Sequence, residues 1–197
     1  MIREEVNAFK RERILEEAAR QFYQKGYDGA RVDKIATALG VTKPYIYYHF
    51  DNKTEILDDI CVRVTRYSIE ILERAIAEES DTLNRLKSAV RQLALWAMEH
   101  QSWIAIYFRE QKYLSPKAGK SIERYRHQFD RKLTELIRSG ANEDIFRIDD
   151  PGVATQALTG LITWVFVWYR PGGRLSRENL AERLVQLSLN TLRATDR

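Results

Sequence analysis

The feature that most constrains this chain is a glycine hinge between two short, apolar-striped segments in residues 31–53, RVDKIATALGVTKPYIYYHFDNK. Ile35, Ala36 and Leu39 form one stripe at helical spacing. Gly40 follows, where a backbone free to take φ > 0 ends a helix and turns the chain sharply, and Val41 pins the turn. Thr42 then supplies an N-cap, with Pro44 in the first turn of the next helix, where its missing N–H costs nothing. In that helix Ile46 and Phe50 lie four apart and face inward, which leaves Thr42, Lys43, Tyr45, Tyr48 and His49 outward and Tyr47 undecided. Lysine and hydroxyls can reach base edges or phosphates, and aromatic rings can touch thymine methyls. A helix N-terminus favours phosphate. Such a face suits helix-turn-helix docking in a major groove. The alternative is an ordinary helix pair with a solvated aromatic face.

The remaining segments all read as helical. A first helix is expected over about Asn7–Lys25, with Ile14, Leu15, Ala18, Ala19, Phe22 and Tyr23 on one face and Gly26 as its stop. A fourth begins at Asp51 or Asn52, with Asn52 and Glu55 at capping-box spacing, and runs unbroken to about Glu79. Leu83 to Ala97 mark a fifth and Trp103 to Tyr113 a short sixth. Ser115–Pro116 opens a seventh that Gly140 closes, and Asp150–Pro151 opens an eighth. Ser176 caps a ninth, with Leu180, Leu184, Leu187 and Leu192 on one side. The eighth, VATQALTGLITWVFVWY, is apolar almost all round, as in a helix central to a core or pressed against a second subunit. The last two helices of two chains would together make a four-helix homodimer interface. The expected fold is all-α, with about nine helices and no strand or repeat. Residues 1–52 form a three-helix head and residues 53–197 a larger helical domain.

Composition narrows the function. With 44% hydrophobic and 30% charged residues the chain is globular, and no apolar run reaches the ~18 residues of a membrane span. The charged N-terminal stretch lacks the apolar centre of a signal peptide, and a single cysteine, Cys61, suits a reducing cytoplasm. Net charge is +4, and residues 1–53 hold ten basic against eight acidic side chains, so geometry carries the nucleic-acid argument. Three histidines, 49, 100 and 127, are too scattered for a metal site, and Cys61 on an apolar stripe is a structural thiol. No phosphate loop, nucleophile elbow or zinc-protease helix is present, so neither an enzyme nor a cofactor is expected.

Residues 11–57 resemble the N-terminal domain of the tetracycline-repressor (TetR) family of bacterial transcriptional regulators, on the stretch ILEEAARQFYQKGYDGARVDKIATALGVTKPYIYYHFDNKTEIL. The rest of the chain fits that family's ligand-binding and dimerisation domain in length and helix count. The resemblance implies that Thr42, Lys43, Pro44 and Tyr45 lie near bases, and that Tyr47, His49 and Lys53 contact phosphates. Tyr48 would pack on sugar or a thymine methyl. Where the family often opens the second helix with Ser or Thr, this chain has Ala30 and Arg31, so the cap is missing and Arg31 is free for phosphate.

Residues 168–176, WYRPGGRLS, resemble a subgroup that often senses acyl-CoA thioesters. Residues 109–138 hold nine Lys or Arg against four Asp or Glu, with Tyr113, Tyr125 and Phe129 among them, which suits a phosphate-rich, adenine-bearing ligand or, equally, a solvated helix face. The ligand-binding candidates are Trp103, Tyr107, Arg109, Tyr113, Arg124, Gln128, Trp164 and Trp168, the aromatic ones being core residues on the plainer reading. Together these features imply a homodimeric, cytoplasmic repressor on a palindromic operator, released by a small-molecule effector of acyl-CoA type. The rivals are an activator or protein-partnered regulator with the same head, and a helical enzyme or carrier whose head is only structural.

Overall fold

The computed structural model describes residues 2–193 and is all-helical among them. Its helices are α1 (Ile2–Gly29), α2 (Val32–Ala38), α3 (Lys43–His49), α4 (Lys53–Glu78), α5 (Thr82–Glu99), α6 (Gln101–Arg109), α7 (Pro116–Asn142), α8 (Pro151–Thr163), α9 (Val165–Trp168) and α10 (Arg177–Arg193). A 3-10 turn at Gln111–Tyr113 joins α6 to α7. The stretch expected as one eighth helix is divided into α8 and a single-turn α9 at Trp164 (φ −64°, ψ −10°).

The chain forms two compact units. One runs to Val64 and also takes in Ser102–Ile122, whereas the expected head, residues 1–52, is shorter and contiguous. The other holds Thr65–Gln101 and the chain from Glu123 onward. The last residues of the expected second domain, 194–197, lie outside the described residues.

In the first unit, Ile14, Leu15, Ala18, Ala19 and Phe22 of α1 are buried with Ile35 and Ala36 of α2, Ile46 of α3, and Ile56, Leu57, Ile60 and Cys61 of α4. Gly26 (φ 69°, ψ 170°) breaks α1 where the sequence places its stop. Tyr27 then folds back, its ring 5.7 Å from that of Phe22. At seven residues each, α2 and α3 are below the ~12–15 residues at which isolated helices become even marginally stable. Burial holds them: Ile35, Ile46 and Phe50 are at most 2% exposed, and each contributes about 1.5–3 kcal/mol.

In the second unit the core is built from Leu72 and Ala75 of α4, Leu86, Val90 and Ala94 of α5, Leu133 and Ile137 of α7, Leu158 of α8, and Leu184, Val185 and Leu192 of α10. Asp81 caps α5 by accepting from Asn84 N at 2.9 Å, and Asp150 caps α8 through the amides of Gly152 and Val153 at 2.7 and 3.1 Å. Gly140 does not close α7, which continues to Asn142. A Cβ at Gly140 would lie 2.2 Å from the ring of buried Phe146, so that glycine serves packing instead. On α10 the buried line is Ala181, Leu184, Val185, Ser188, Leu189 and Leu192, and Leu187, expected on it, is 51% exposed.

Candidate nucleic-acid interface

The turn between α2 and α3 is built as its residue types dictate. Gly40 sits at φ +67°, Val41 N donates to Ala36 O at 3.0 Å, and Gly40 N donates to Thr37 O at 3.1 Å. These two bonds satisfy the end carbonyls of α2 and swing the chain into α3. Thr42 occupies the N-cap in an extended conformation without a side-chain capping bond, and Pro44 lies in the first turn.

Thr42, Lys43, Pro44, Tyr47 and Tyr48 are exposed, Tyr48 at 72%, while Tyr45 is half-buried. The Lys43 ammonium lies 5.7 Å from the centre of the Tyr47 ring, four residues on. Lys10 of α1, absent from the sequence-based set, lies 5.9 Å from the Tyr45 ring. These side chains present hydroxyl, cation and aromatic groups along one short helix.

His49 departs from the outward position expected of it. It is only 9% exposed, its ring lies edge-on 5.1 Å from Tyr45 and 5.0 Å from Tyr48, and its buried Nε2 has no hydrogen-bond partner. Burial, and then the charges of Lys10 and Arg11, hold its pKa below the ordinary histidine value. A neutral, enclosed imidazole is a packing group first.

Arg31 is the exposed residue before α2 and makes no side-chain cap, as its identity predicts. Its guanidinium pairs with Asp33 at 3.0 Å, which lowers the Asp33 pKa. Lys53 is half-buried: its ammonium donates to Tyr27 O at 2.8 Å and Ala30 O at 3.0 Å, and stands 4.2 Å from the centre of the Tyr27 ring. Two of three ammonium protons are thus taken up inside the fold, and one remains. At the start of α4, Glu55 N donates to Asn52 Oδ1 at 2.9 Å while the Glu55 carboxylate accepts from Asp51 N, a capping box shifted by one residue on its return arm.

The eight ligand candidates divide between the units. In the first, Trp103 and Tyr107 are buried and Arg109 lies over the Tyr23 ring at 5.5 Å. Tyr113 there stacks on Tyr27 at 4.5 Å and donates to the Asp28 carboxylate. In the second, Arg124 is exposed above Tyr125, Gln128 is half-buried, and Trp164 and Trp168 are 58% and 46% exposed. Cys61 is buried and its thiol is pushed up to about 12, by burial first and then by Asp58 and Glu110, so it is not a nucleophile at neutral pH. Among the described residues no three His, Cys, Asp or Glu side chains form a metal-binding group, and no helix is long and apolar enough to cross a membrane.

Residues 14–60 match the family described as bacterial regulatory proteins, tetR family, and residues 79–192 match the tetracyclin repressor-like C-terminal domain. The chain is 26% identical over 182 residues to the HTH-type transcriptional repressor KstR2 of Mycobacterium tuberculosis, a match covering 91% of each chain. It is similar in structure to the TetR family regulator PfmR from Thermus thermophilus, with a TM-score of 0.82 and 30% identity over 92% of this chain and 99% of that one. A further solved structure, AibR in complex with isovaleryl coenzyme A and operator DNA, matches with a TM-score of 0.78 and 25% identity over 90% of this chain and 96% of that one.

Proposed function

The chain belongs to the tetracycline-repressor family of transcriptional regulators and is not an enzyme, and on that premise we propose that it is a homodimeric repressor of a palindromic operator, released by a small-molecule effector. The observation that carries this reading is the open face of α3, where Thr42, Lys43, Pro44, Tyr47 and Tyr48 are exposed beside half-buried Tyr45. Thr42, Lys43, Pro44 and Tyr45 read base edges, and Tyr48 packs on sugar or a thymine methyl. Tyr47, Arg31 and the remaining proton of Lys53 take phosphates. His49 supports this face from below.

Dimerisation is supported by the apolar groups that α8, α9 and α10 leave exposed: Val153 at 66%, Trp164 at 58%, Trp168 at 46% and Leu187 at 51%. Unpartnered, such a set is a liability on a soluble surface; a two-fold mate would cover it. This assigns Trp164 and Trp168 to the subunit interface in place of a ligand.

For the effector we propose an acyl-CoA thioester, on the strength of the 168–176 segment, the basic excess of residues 109–138, and the CoA ester held by the similar AibR. Arg124 and Gln128, four apart on α7, suit its anionic end. An effector can release DNA only by binding the non-DNA conformation more tightly. The fourth helix, with residues in both units, is the lever we propose. Mass spectrometry of ligand released from the purified, denatured protein should find a CoA ester, and a different class of molecule there would remove that assignment.

The experiment for the whole reading is binding to duplexes from the chain's own upstream region, intact and with half-sites scrambled. Tyr45→Ala should cost about 1–3 kcal/mol on the intact site and leave scrambled DNA unaffected. Equal loss on both would take Tyr45 out of the base-reading set, and no preference in the unaltered protein would remove the repressor reading.

A further inference from the structure

The DNA-reading role of α3 proposed above leaves open what fixes that helix at its angle. Its N-terminal end has no side-chain cap, and past the bond from Phe50 N to Ile46 O its last three carbonyls have no donor within the helix. At the other end one side chain from α1 reaches it. Arg11 donates from Nη1 to the carbonyl of His49, the last residue of α3, and its guanidinium lies 3.9 Å from the centre of the ring of Phe50, the next residue. From Nη2 it donates to Asp59 of α4 at 2.7 Å, with Glu55 at 3.7 Å.

Asp59 is itself held. Its other oxygen accepts from Arg63 Nε at 2.7 Å, and Arg63 pairs with Glu12, the neighbour of Arg11 on α1. In this chain of alternating charges, Arg11–Asp59–Arg63–Glu12, the inner side chains Asp59 and Arg63 are 21% and 14% exposed, whereas Arg11 and Glu12 at its ends are 32% and 42% exposed, so its middle is the part most withdrawn from water. A planar guanidinium with fixed donor directions can grip a carbonyl and a carboxylate at once while stacking on a ring, and an ammonium cannot reproduce that fork.

We infer that Arg11 is a positioning residue for DNA recognition: it sets the orientation of α3 against α1 and α4, and thereby the match between the α3 face and base edges, without touching DNA. The inference rests on the proposed role of α3, so its test starts from the unaltered chain. A duplex is selected from random sequence with the full-length protein, and dissociation constants for it and a scrambled duplex are measured across a salt series. If the unaltered protein selects nothing, the role of α3 fails; the Arg11 inference is judged on the variants once selection is seen.

Arg11→Lys and Arg11→Gln should each lower the ratio of selected to scrambled affinity by about tenfold or more, the loss expected when base contacts fall out of register. Binding to the scrambled duplex and the salt slope should be unchanged. Asp59→Asn, which keeps the Arg11 charge and removes its anchor, should lower the ratio in the same direction. Thermal unfolding of each variant sets a working temperature at which it is folded, and Arg11→Lys, retaining stem and charge, carries the test should the glutamine variant not fold. Equal weakening on both duplexes with a slope smaller by about 0.9 would make Arg11 a phosphate contact and overturn the inference. An unchanged ratio in the folded lysine variant would overturn it as well, leaving Arg11 a stabilising residue only.

Discussion

At the C-terminal end of α3, His49 is enclosed by the rings of Tyr45 and Tyr48 with Lys10 and Arg11 nearby. Its pKa lies below the unfolded value of 6.5 because burial, and then those two cations, disfavour the imidazolium. The sign follows from proton linkage: above pH 6.5 the ring is neutral in both states, and as pH falls the unfolded chain takes up a proton the folded chain resists. Stability should therefore decline from pH 6.5 down through the lowered folded pKa, ahead of the range in which carboxylates protonate. Thermal unfolding between pH 7.5 and 5.5 checks this, with His49→Gln expected to flatten the decline. Helical spacing read Ile46 and Phe50 as buried and was right, but it left His49 outside. The side chains that enclose it from beyond α3 belong to α1, almost forty positions upstream, and no local pattern reports them. The purpose of Gly140 was hidden for the same reason, since its missing Cβ answers to Phe146 folding back across the end of α7.

Elements were more legible than side chains, because their ends are written in single residues. Gly26, Gly40, Asp150 and Ser176 each stop or start a helix through a local turn or a side-chain bond to a nearby backbone amide. Lys53 shows where that legibility stops. Its place at the start of α4 is local, but its partners are the carbonyls of Tyr27, in the last turn of α1, and Ala30, in the link to α2. Lys53→Ala should therefore have two effects. Two carbonyls lose their donor, so thermal unfolding comes earlier; specific and non-specific DNA weaken together, with the salt slope reduced by about 0.9. A variant that unfolds earlier with an unchanged slope would limit Lys53 to its structural bonds. On α10 the buried line was only partly readable, because a leucine every third or fourth position marks both the core side and the exposed side that carries Leu187.

For the molecule as a whole, the all-helical class followed from the absence of strand periodicity, and the family follows from matches over residues 14–60 and 79–192. The assembly is a prediction. Trp168→Asp combined with Leu187→Asp should convert a dimer into a monomer of 23.1 kDa in sedimentation equilibrium and abolish the advantage of paired over single half-sites. A dimer that survives both changes would move the interface elsewhere. What the sequence did not display was the composition of the DNA-binding unit, because Ser102–Ile122 joins it from far along the chain.

That late-joining segment makes the DNA-binding unit a poor exchangeable cassette. Tyr113 lies on Tyr27, Arg109 lies over Tyr23, and Ser115 N donates to Asp58 at 3.0 Å, so a chimera cut just after the helix-turn-helix would strand these contacts and bare the apolar surface beneath them. Grafting specificity onto another regulator calls for carrying both stretches, or for changing only the solvent-facing side chains of α3 in place.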